Sequence, residues 1–279
     1  MATDESLKKA VQDFWNQASC GENLYLPTND RAGYLKQSKR RYELEPYIEP
    51  FAKFDESHGL PVLEIGVGLG ADHQRFAEAG SLLHGVDLTE RAVEHTSRRL
   101  RCFGLESRLM IADAENLPFP AESFAIVYSW GVLHHSPDTQ KAIDEVCRVL
   151  RPGGVARIMV YHFWSLVGAM LWVRYGLLRL QPWASLISIY AQHLESPGTK
   201  AYTVHEVRRM FCAFEKVETR IVLSHADMLE SEAGQRHQGI LLNAARRVWP
   251  RGLIRRFLPN TGLFLLIEAT KGSAATSRR

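Results

Sequence analysis

Three glycines at alternate positions, Gly66, Gly68 and Gly70 in "VLEIGVGLGADHQRFAEAG", follow an apolar run and precede a helical pattern. Such a strand-to-helix turn lets backbone N–H groups approach a ligand at the helix start. Three readings of it are open. Taken as G-x-G-x-x-A through Ala71, it fits the pyrophosphate of a dinucleotide. Taken as E-x-G-x-G-x-G from Glu64, it sets a carboxylate beside the turn, which would repel a pyrophosphate and attract a sulfonium or ammonium. Taken alone, it is a tight turn that needs glycine and nothing more. Asp87 ends the next apolar run, where a carboxylate can accept both hydroxyls of a ribose, and this serves either cofactor. Asp113 ends a third run in "ADAENLPFP" and can accept an adenine amino group, with apolar Leu88 and Ala114 placed to sandwich the ring.

Further along, His134 and His135 stand side by side. A histidine suits general-base work near neutral pH, and a structural pair anchoring a loop is the alternative. Adjacent histidines with no third ligand in register point away from a metal, so none is expected. Arg41, in "RYELEPYI", offers a fork that suits a cofactor carboxylate, or else lies on a helix surface. Trp15 and Tyr25 are candidates to cap the site, and Glu195, Lys200 and Tyr202 to face an acceptor.

Positioning these groups requires alternating strands and helices. "PVLEIG", "LLHGVDL", "SRLMIAD", "SFAIVYSW", "VARIMVYH", "KVETRIVLSH" and "GLFLLIEATK" read as seven strands. "GADHQRFAEAG", "TERAVEHTSRRLRCFGL" with Thr89 as N-cap, and "DTQKAIDEVCRVLRPGG" with a Gly-Gly stop read as the helices between them. This order predicts an α/β, Rossmann-like, doubly wound and mostly parallel seven-stranded sheet, with ligands at the carboxyl ends of its strands. Residues 5–16 read as an amphipathic helix, residues 20–35 as irregular, and "RRYELEPYIEPFAKF" as a short helix interrupted by prolines.

One domain is expected over 1–279: a helical and aromatic cap at 1–58, a cofactor-binding core at 59–162, an apolar insertion at 163–201, core again at 202–225, a second insertion at 226–260, a last strand at 261–271 and a disordered tail at 272–279. Residues 163–192 are apolar nearly all round, more than one face against a sheet requires. A cap over the active site is favoured, with Trp172 and Tyr175 toward the acceptor; a homodimer interface comes next and membrane contact third. Net charge is only +3, so charge alone announces no nucleic-acid binder, although "RRVWPRGLIRRF" holds five arginines and no acid. The four cysteines are scattered without a C-x-x-C, and no signal peptide or spanning segment stands out, so a soluble cytoplasmic protein is expected.

The stretches "VLEIGVGLG", "GVDL", "ADAENLPFPAESFAIVYSWGVLHHSPD" and "EVCRVLRPGG" together resemble the class I S-adenosylmethionine-dependent methyltransferases of the Rossmann-like, small-molecule type. The resemblance covers roughly residues 60–162. It implies that Glu64, Gly66, Gly68 and Gly70 surround the methionine part of the cofactor, that Asp87 binds the ribose and Asp113 and Ala114 the adenine, and that Trp130 lines the cofactor near its methyl group. It further implies methyl transfer to an oxygen, nitrogen or carbon of a small-molecule acceptor, with S-adenosylhomocysteine as product. An RNA or protein methyltransferase, a non-catalytic cofactor-binding protein and an NAD(P)-dependent reductase are the alternatives.

Overall fold

The computed structural model of the chain describes residues 4–230, 246–247 and 249–273. The strands are β1 (Pro61–Ile65), β2 (Leu82–Asp87), β3 (Arg108–Ile111), β4 (Phe124–Trp130), β5 (Leu150–Tyr161), β6 (Lys216–Val222) and β7 (Phe264–Thr270). They form one sheet in the order β3-β2-β1-β4-β5-β7-β6. β1 to β5 pair in parallel, and β7 runs antiparallel between β5 and β6. The expected α/β sheet is therefore present, with its last strand reversed. Central strands can be apolar on both faces because helices cover both, and Leu63, Val127 and Ile158 are fully buried. The order turns back between β1 and β4. A crevice opens at that switch point, outside the carboxyl ends of the strands.

The helices are α1 (Asp4–Gln17), α2 (Glu22–Tyr25), α3 (Arg31–Leu44), α4 (Ile48–Ala52), α5 (Ala71–Glu78), α6 (Glu90–Phe103), α7 (Thr139–Val149), α8 (Leu166–Tyr175), α9 (Leu186–His193), α10 (Val204–Met210) and α11 (Arg251–Phe257). Helix α6 starts where its N-cap predicts, the Thr89 side chain accepting from Ala92 N–H, and stops at Gly104, whose φ is 66°. Two boundaries differ from expectation. The stretch read as irregular holds the first turn of α3, because the Asp30 carboxylate caps it by accepting from Gly33 N–H. The Gly-Gly pair does not end α7. That helix stops at Val149, and β5 runs on through Gly153 and Gly154 with a register shift against β4. Residues 231–245, 248 and 274–279 lie outside the described residues, and with them much of the expected second insertion and most of the expected tail.

After β5 the chain leaves the sheet to form α8 and α9, which share a small core of Leu171, Ile189 and Tyr190. The N-terminal helices are tied to the sheet layer by a buried cation. Arg99 of α6 is fully buried and donates from Nε to Gln74 Oε1 at 2.7 Å, and from Nη1 to Gln37 Oε1 at 2.8 Å and to the Leu69 carbonyl at 2.9 Å. Its Nη2 donates to the Tyr34 carbonyl and to Ser38 Oγ. One guanidinium thus joins α3, α5, α6 and the glycine turn. Arg99→Met should strand two amide oxygens and two carbonyls away from water and cost about 3 kcal/mol or more. Urea unfolding should show a lower midpoint with an unchanged slope.

Candidate active site

Of the three glycines, two serve the fold and one faces open space. Gly66, Gly68 and Gly70 have φ of 85°, 51° and 74°, a region that disfavours other residues. A Cβ on Gly66 would meet Val132 Cγ2 at 2.0 Å, and one on Gly70 would meet Thr96 Oγ1 at 2.8 Å. A Cβ on Gly68 meets nothing within 4 Å among the described residues. The turn is fastened to the end of β2, because Gly68 N–H donates to Asp87 Oδ2 at 3.2 Å. Asp87 Oδ1 accepts from Thr89 N–H at 3.0 Å and from Thr89 Oγ1 at 2.8 Å. Burial nonetheless raises the Asp87 carboxyl above its ordinary range.

The turn forms one wall of a cavity of about 1130 Å³ at the carboxyl edge of the sheet. Glu64, Asp87, Leu88, Asp113, Ala114 and Trp130 line it, as do Arg41 and the three glycines. The fold thus gathers the residues expected to hold a cofactor. Asp113 lies in the loop just past β3 rather than on it, and its Oδ2 is held by Lys8 Nζ of α1 at 2.6 Å. Lys8 also reaches Glu115 at 2.7 Å, and Gln12 donates to the Leu88 carbonyl at 2.9 Å. Helix α1 is thereby drawn across the end where an adenine ring was expected. No local pattern announces the Lys8 contacts, whose partners stand over a hundred residues apart.

Arg41 corrects the expectation made for it. Its fork is already occupied: Nε donates to Asp72 Oδ1 at 3.1 Å and Nη2 to Asp72 Oδ2 at 2.6 Å, while Nη1 lies 3.3 Å from Glu45. Asp72 also accepts from Tyr42 Oη at 3.0 Å and Tyr128 Oη at 2.9 Å. Burial works against the Asp72 charge, yet Arg41 and these donors hold its carboxyl below the ordinary range.

Glu64 solves the same problem differently. Its Oε2 lies 2.8 Å from His73 Nδ1, and His73 Nε2 lies 2.8 Å from Ser107 Oγ. The Ser107 hydroxyl spends its proton on the Leu83 carbonyl at 3.0 Å, so it accepts from His73 Nε2–H. Burial lowers the His73 pKa to about 3, so the ring is neutral and its Nδ1 is an acceptor. The proton between the two residues therefore belongs to Glu64, whose carboxyl is raised by burial and by the nearby Asp72 charge. The wall around the turn is thus rich in desolvated carboxyl groups, and a cationic ligand would relieve them. Together with the open space at Gly68, this chemistry fits a sulfonium cofactor. It does not fit a pyrophosphate.

The two histidines separate. His135 lines the cavity and His134 does not. His134 is fully buried, its ring 4.0 Å from that of Tyr161, and neither of its nitrogens has a hydrogen-bond partner among the described residues. Burial drives its pKa well below the ordinary value, which corrects the expectation that either histidine could serve as a base at the cavity. His135 Nδ1 contacts Ser196 Oγ at 2.8 Å and Thr199 Oγ1 at 3.1 Å. The Thr199 hydroxyl donates to the Ser196 carbonyl at 2.6 Å, leaving its oxygen to accept from His135. His135 Nε2 lies 3.3 Å from Glu195 Oε2, which accepts from Tyr161 Oη at 2.6 Å. The third group missing from the sequence register is thus brought in by the end of the insertion. Donor atoms of His134, His135 and Glu195 lie within 4.8 Å of one another. Glu195 was singled out in the sequence only as a residue of a polar loop; Lys200 instead donates to the Ser136 and Pro137 carbonyls, and Tyr202 to Thr139 Oγ1.

The insertion supplies the apolar wall. Leu166, Val167, Met170, Leu171, Val173 and Leu178 line the cavity opposite the turn. Trp172 and Tyr175, the residues expected to face an acceptor, pack inside the insertion instead, Tyr175 stacking on His193 at 3.8 Å. At the other end Trp15 lines the cavity and meets His135 edge-on at 5.4 Å, and Tyr25 lines it too.

One buried acid makes stability depend on pH. Glu45 lines the cavity, and burial, aided by Asp72 and Glu195 and opposed by Arg41, raises its pKa from 4.5 to about 7. The folded state therefore binds this proton more tightly than the unfolded chain does. Its contribution is complete below the unfolded value and is lost as pH rises through the folded one, a change of about 3 kcal/mol. Stability should fall between about pH 4.5 and pH 7, and Glu45→Gln should flatten that slope in urea titrations across the range.

Residues 63–158 match the family described as "Methyltransferase domain". The chain is 28% identical over 161 residues to Methyltransferase GfsG of Streptomyces halstedii, covering 54% of this chain and 57% of that protein. It is 26% identical over 165 residues to the ubiquinone biosynthesis O-methyltransferase of Coxiella burnetii, covering 57% and 64%. The matches thus span under two thirds of these curated relatives. Among solved structures, phosphoethanolamine N-methyltransferase 2 of Haemonchus contortus superposes with a TM-score of 0.58 at 16% identity, over 94% of this chain and 60% of that one, and speaks to the fold. That structure holds S-adenosylhomocysteine. With the glycine turn, the strand-end carboxylates and the seven-stranded sheet in place, residues 63–158 are a methyltransferase domain of the class I, S-adenosylmethionine-dependent type.

Proposed function

We propose that the chain transfers a methyl group to an oxygen, nitrogen or carbon of a small acceptor with a largely apolar body. The reading rests on one cavity that joins the glycine turn to an apolar wall, with His135 and Glu195 lining the same space. When bound, S-adenosylmethionine supplies a methyl group on a sulfonium, transferred by in-line displacement with S-adenosylhomocysteine left behind. The turn around Gly68 and the wall at Glu64 would hold its methionine part, Asp87 the ribose hydroxyls, and Leu88, Asp113 and Ala114 the adenine. Trp130, stacked on Tyr47 at 5.9 Å, is a rigid side wall.

The chain's own contribution is alignment, exclusion of water and removal of a proton. Ser196 and Thr199 orient the His135 ring through Nδ1, and in the Nδ1–H tautomer the His135–Glu195 pair would take up the proton of an acceptor hydroxyl or ammonium. Glu195, held by Tyr161, would stabilise the imidazolium that follows. The apolar insertion explains why the acceptor body should be apolar: burying it there gains roughly 25 cal/mol per Å².

Two outcomes test this. Asp87→Ala removes two charge-assisted hydrogen bonds to the ribose and should weaken S-adenosylhomocysteine binding by more than about tenfold in calorimetry. Unchanged affinity would remove Asp87 from the site. His135→Gln should lower kcat by about 10²-fold or more with an oxygen acceptor such as a substituted phenol, while cofactor affinity stays within a few fold. An unchanged kcat would mean that alignment suffices and no base is used.

A further inference from the structure

Ten of the fourteen exposed large apolar side chains among the described residues fall in two short stretches, 164–187 and 253–258. The other four, Leu35, Leu60, Leu82 and Ile111, are scattered, as single exposed apolar residues usually are. In the insertion Leu180, Trp183 and Ile187 are 82%, 79% and 70% exposed, and Trp164 is 65% exposed. In α11 Phe257 is 67% exposed. These are more than the sheet or the insertion's own small core can bury.

The two stretches meet around one opening. Val173 and Leu178 line the cavity and are themselves exposed, so the cavity wall continues onto the outer face of the insertion. Trp249, just before α11, lines the same cavity, and its Nε1 donates to the Asp227 carbonyl at 3.0 Å. Asp227 Oδ1 in turn accepts from Val167 N–H of α8 at 3.2 Å. Helix α11 is therefore moored beside the insertion through Asp227.

Charge tells what covers this face. Residues 163–193 contain no aspartate or glutamate and carry Arg174 and Arg179, whose guanidinium groups sit over the Tyr175 ring at 5.4 and 4.9 Å. Residues 246–258 contain five arginines and no acid. Of these, Arg251 binds the Met228 and Leu229 carbonyls and Arg255 pairs with Glu230, while Arg256 is exposed. A second copy of the chain laid symmetrically on this face would oppose arginine to arginine. An anionic lipid surface would neutralise them and take up the tryptophans and leucines together, since aromatic and aliphatic side chains favour the interface and each basic residue favours anionic headgroups. No helix among the described residues is long and apolar enough to cross a membrane, so the contact would lie in the interface.

We infer that the outer face of the 163–193 insertion, with α11, docks on an anionic membrane surface and opens the cavity toward it, so that the acceptor is a lipophilic molecule entering from the lipid phase. This extends the apolar-acceptor reading to a route of entry. Vesicle binding is measured without turnover, so the two can fail separately.

The test is flotation of the full chain with phosphatidylcholine vesicles, with and without phosphatidylglycerol. The wild type should float with the mixed vesicles and lose binding at high salt. Arg179→Glu should weaken binding by about fivefold or more. Leu180→Ser combined with Trp183→Ser should abolish it, with melting temperature and S-adenosylhomocysteine affinity unchanged, because both side chains are exposed. Absence of wild-type binding to the mixed vesicles would overturn the inference. So would a dimer in sedimentation that the same double substitution dissociates, which would assign the face to a second copy.

Discussion

Crowding of carboxyl groups in a desolvated turn is the constraint on which the rest of the site depends. Glu64, Asp72 and Asp87 converge on the glycine loop, and like charges there repel strongly because water is excluded. Each is settled by a different device. Asp72 keeps its charge by accepting from Arg41, Tyr42 and Tyr128. Glu64 keeps a proton, held against a neutral His73. Asp87 is steadied by the N–H groups of Gly68 and Thr89. The arrangement is also what fastens α3 to the core, since Arg41 and Tyr42 belong to that helix. Positioning of the N-terminal segment and electrostatics of the site are the same interaction seen from two sides.

That coupling explains which parts were legible in the sequence. The strand ends, the glycine turn and Asp87 were readable because local rules force them: a positive φ needs glycine, and a parallel sheet sends ligands to its carboxyl edge. Arg41 was recognised as a fork for a carboxylate, and it is one, but its partner is Asp72, an internal acid on α5. Residue type showed the chemistry and not the partner. The start of α3 was hidden because its Asp30 cap stands in a run of turn-forming residues, where the same side chain favours a loop. Glu195 could be named as polar but not placed, because only the folding of α8 and α9 returns it to His135. The seven strands follow from alternating apolar runs, whereas the end of α7 does not follow from Gly153 and Gly154, because a Gly-Gly pair can serve a strand irregularity as well as a helix stop.

The division of labour within the cavity follows from where each wall comes from. The turn, β1, β2 and the β3 loop belong to the part matched by the methyltransferase family, residues 63–158. The wall formed by Leu166, Met170 and Val173, and Glu195 itself, lie beyond it. On the proposed function, acceptor choice would be carried by a segment outside the matched residues 63–158. This is why the two relatives, one of them named without an acceptor, say little about the acceptor here.

Two chain segments far apart in sequence close over the same point. Helix α1 reaches Asp113 and Glu115 through Lys8, and its Trp15 ring rests edge-on against His135. The insertion reaches His135 from the other side through Glu195, Ser196 and Thr199. Cys20, an exposed residue following α1, lies beside the same group, with its Sγ 3.9 Å from Glu195 Oε1. Helix α1 and the insertion thus meet from two sides at one polar cluster around His135. Helix α1 is held at that end by Lys8 on Asp113 and Glu115 and by Gln12 on the Leu88 carbonyl. The Asp113 contact and the His135 contact are thus carried by two side chains of one helix, Lys8 and Trp15.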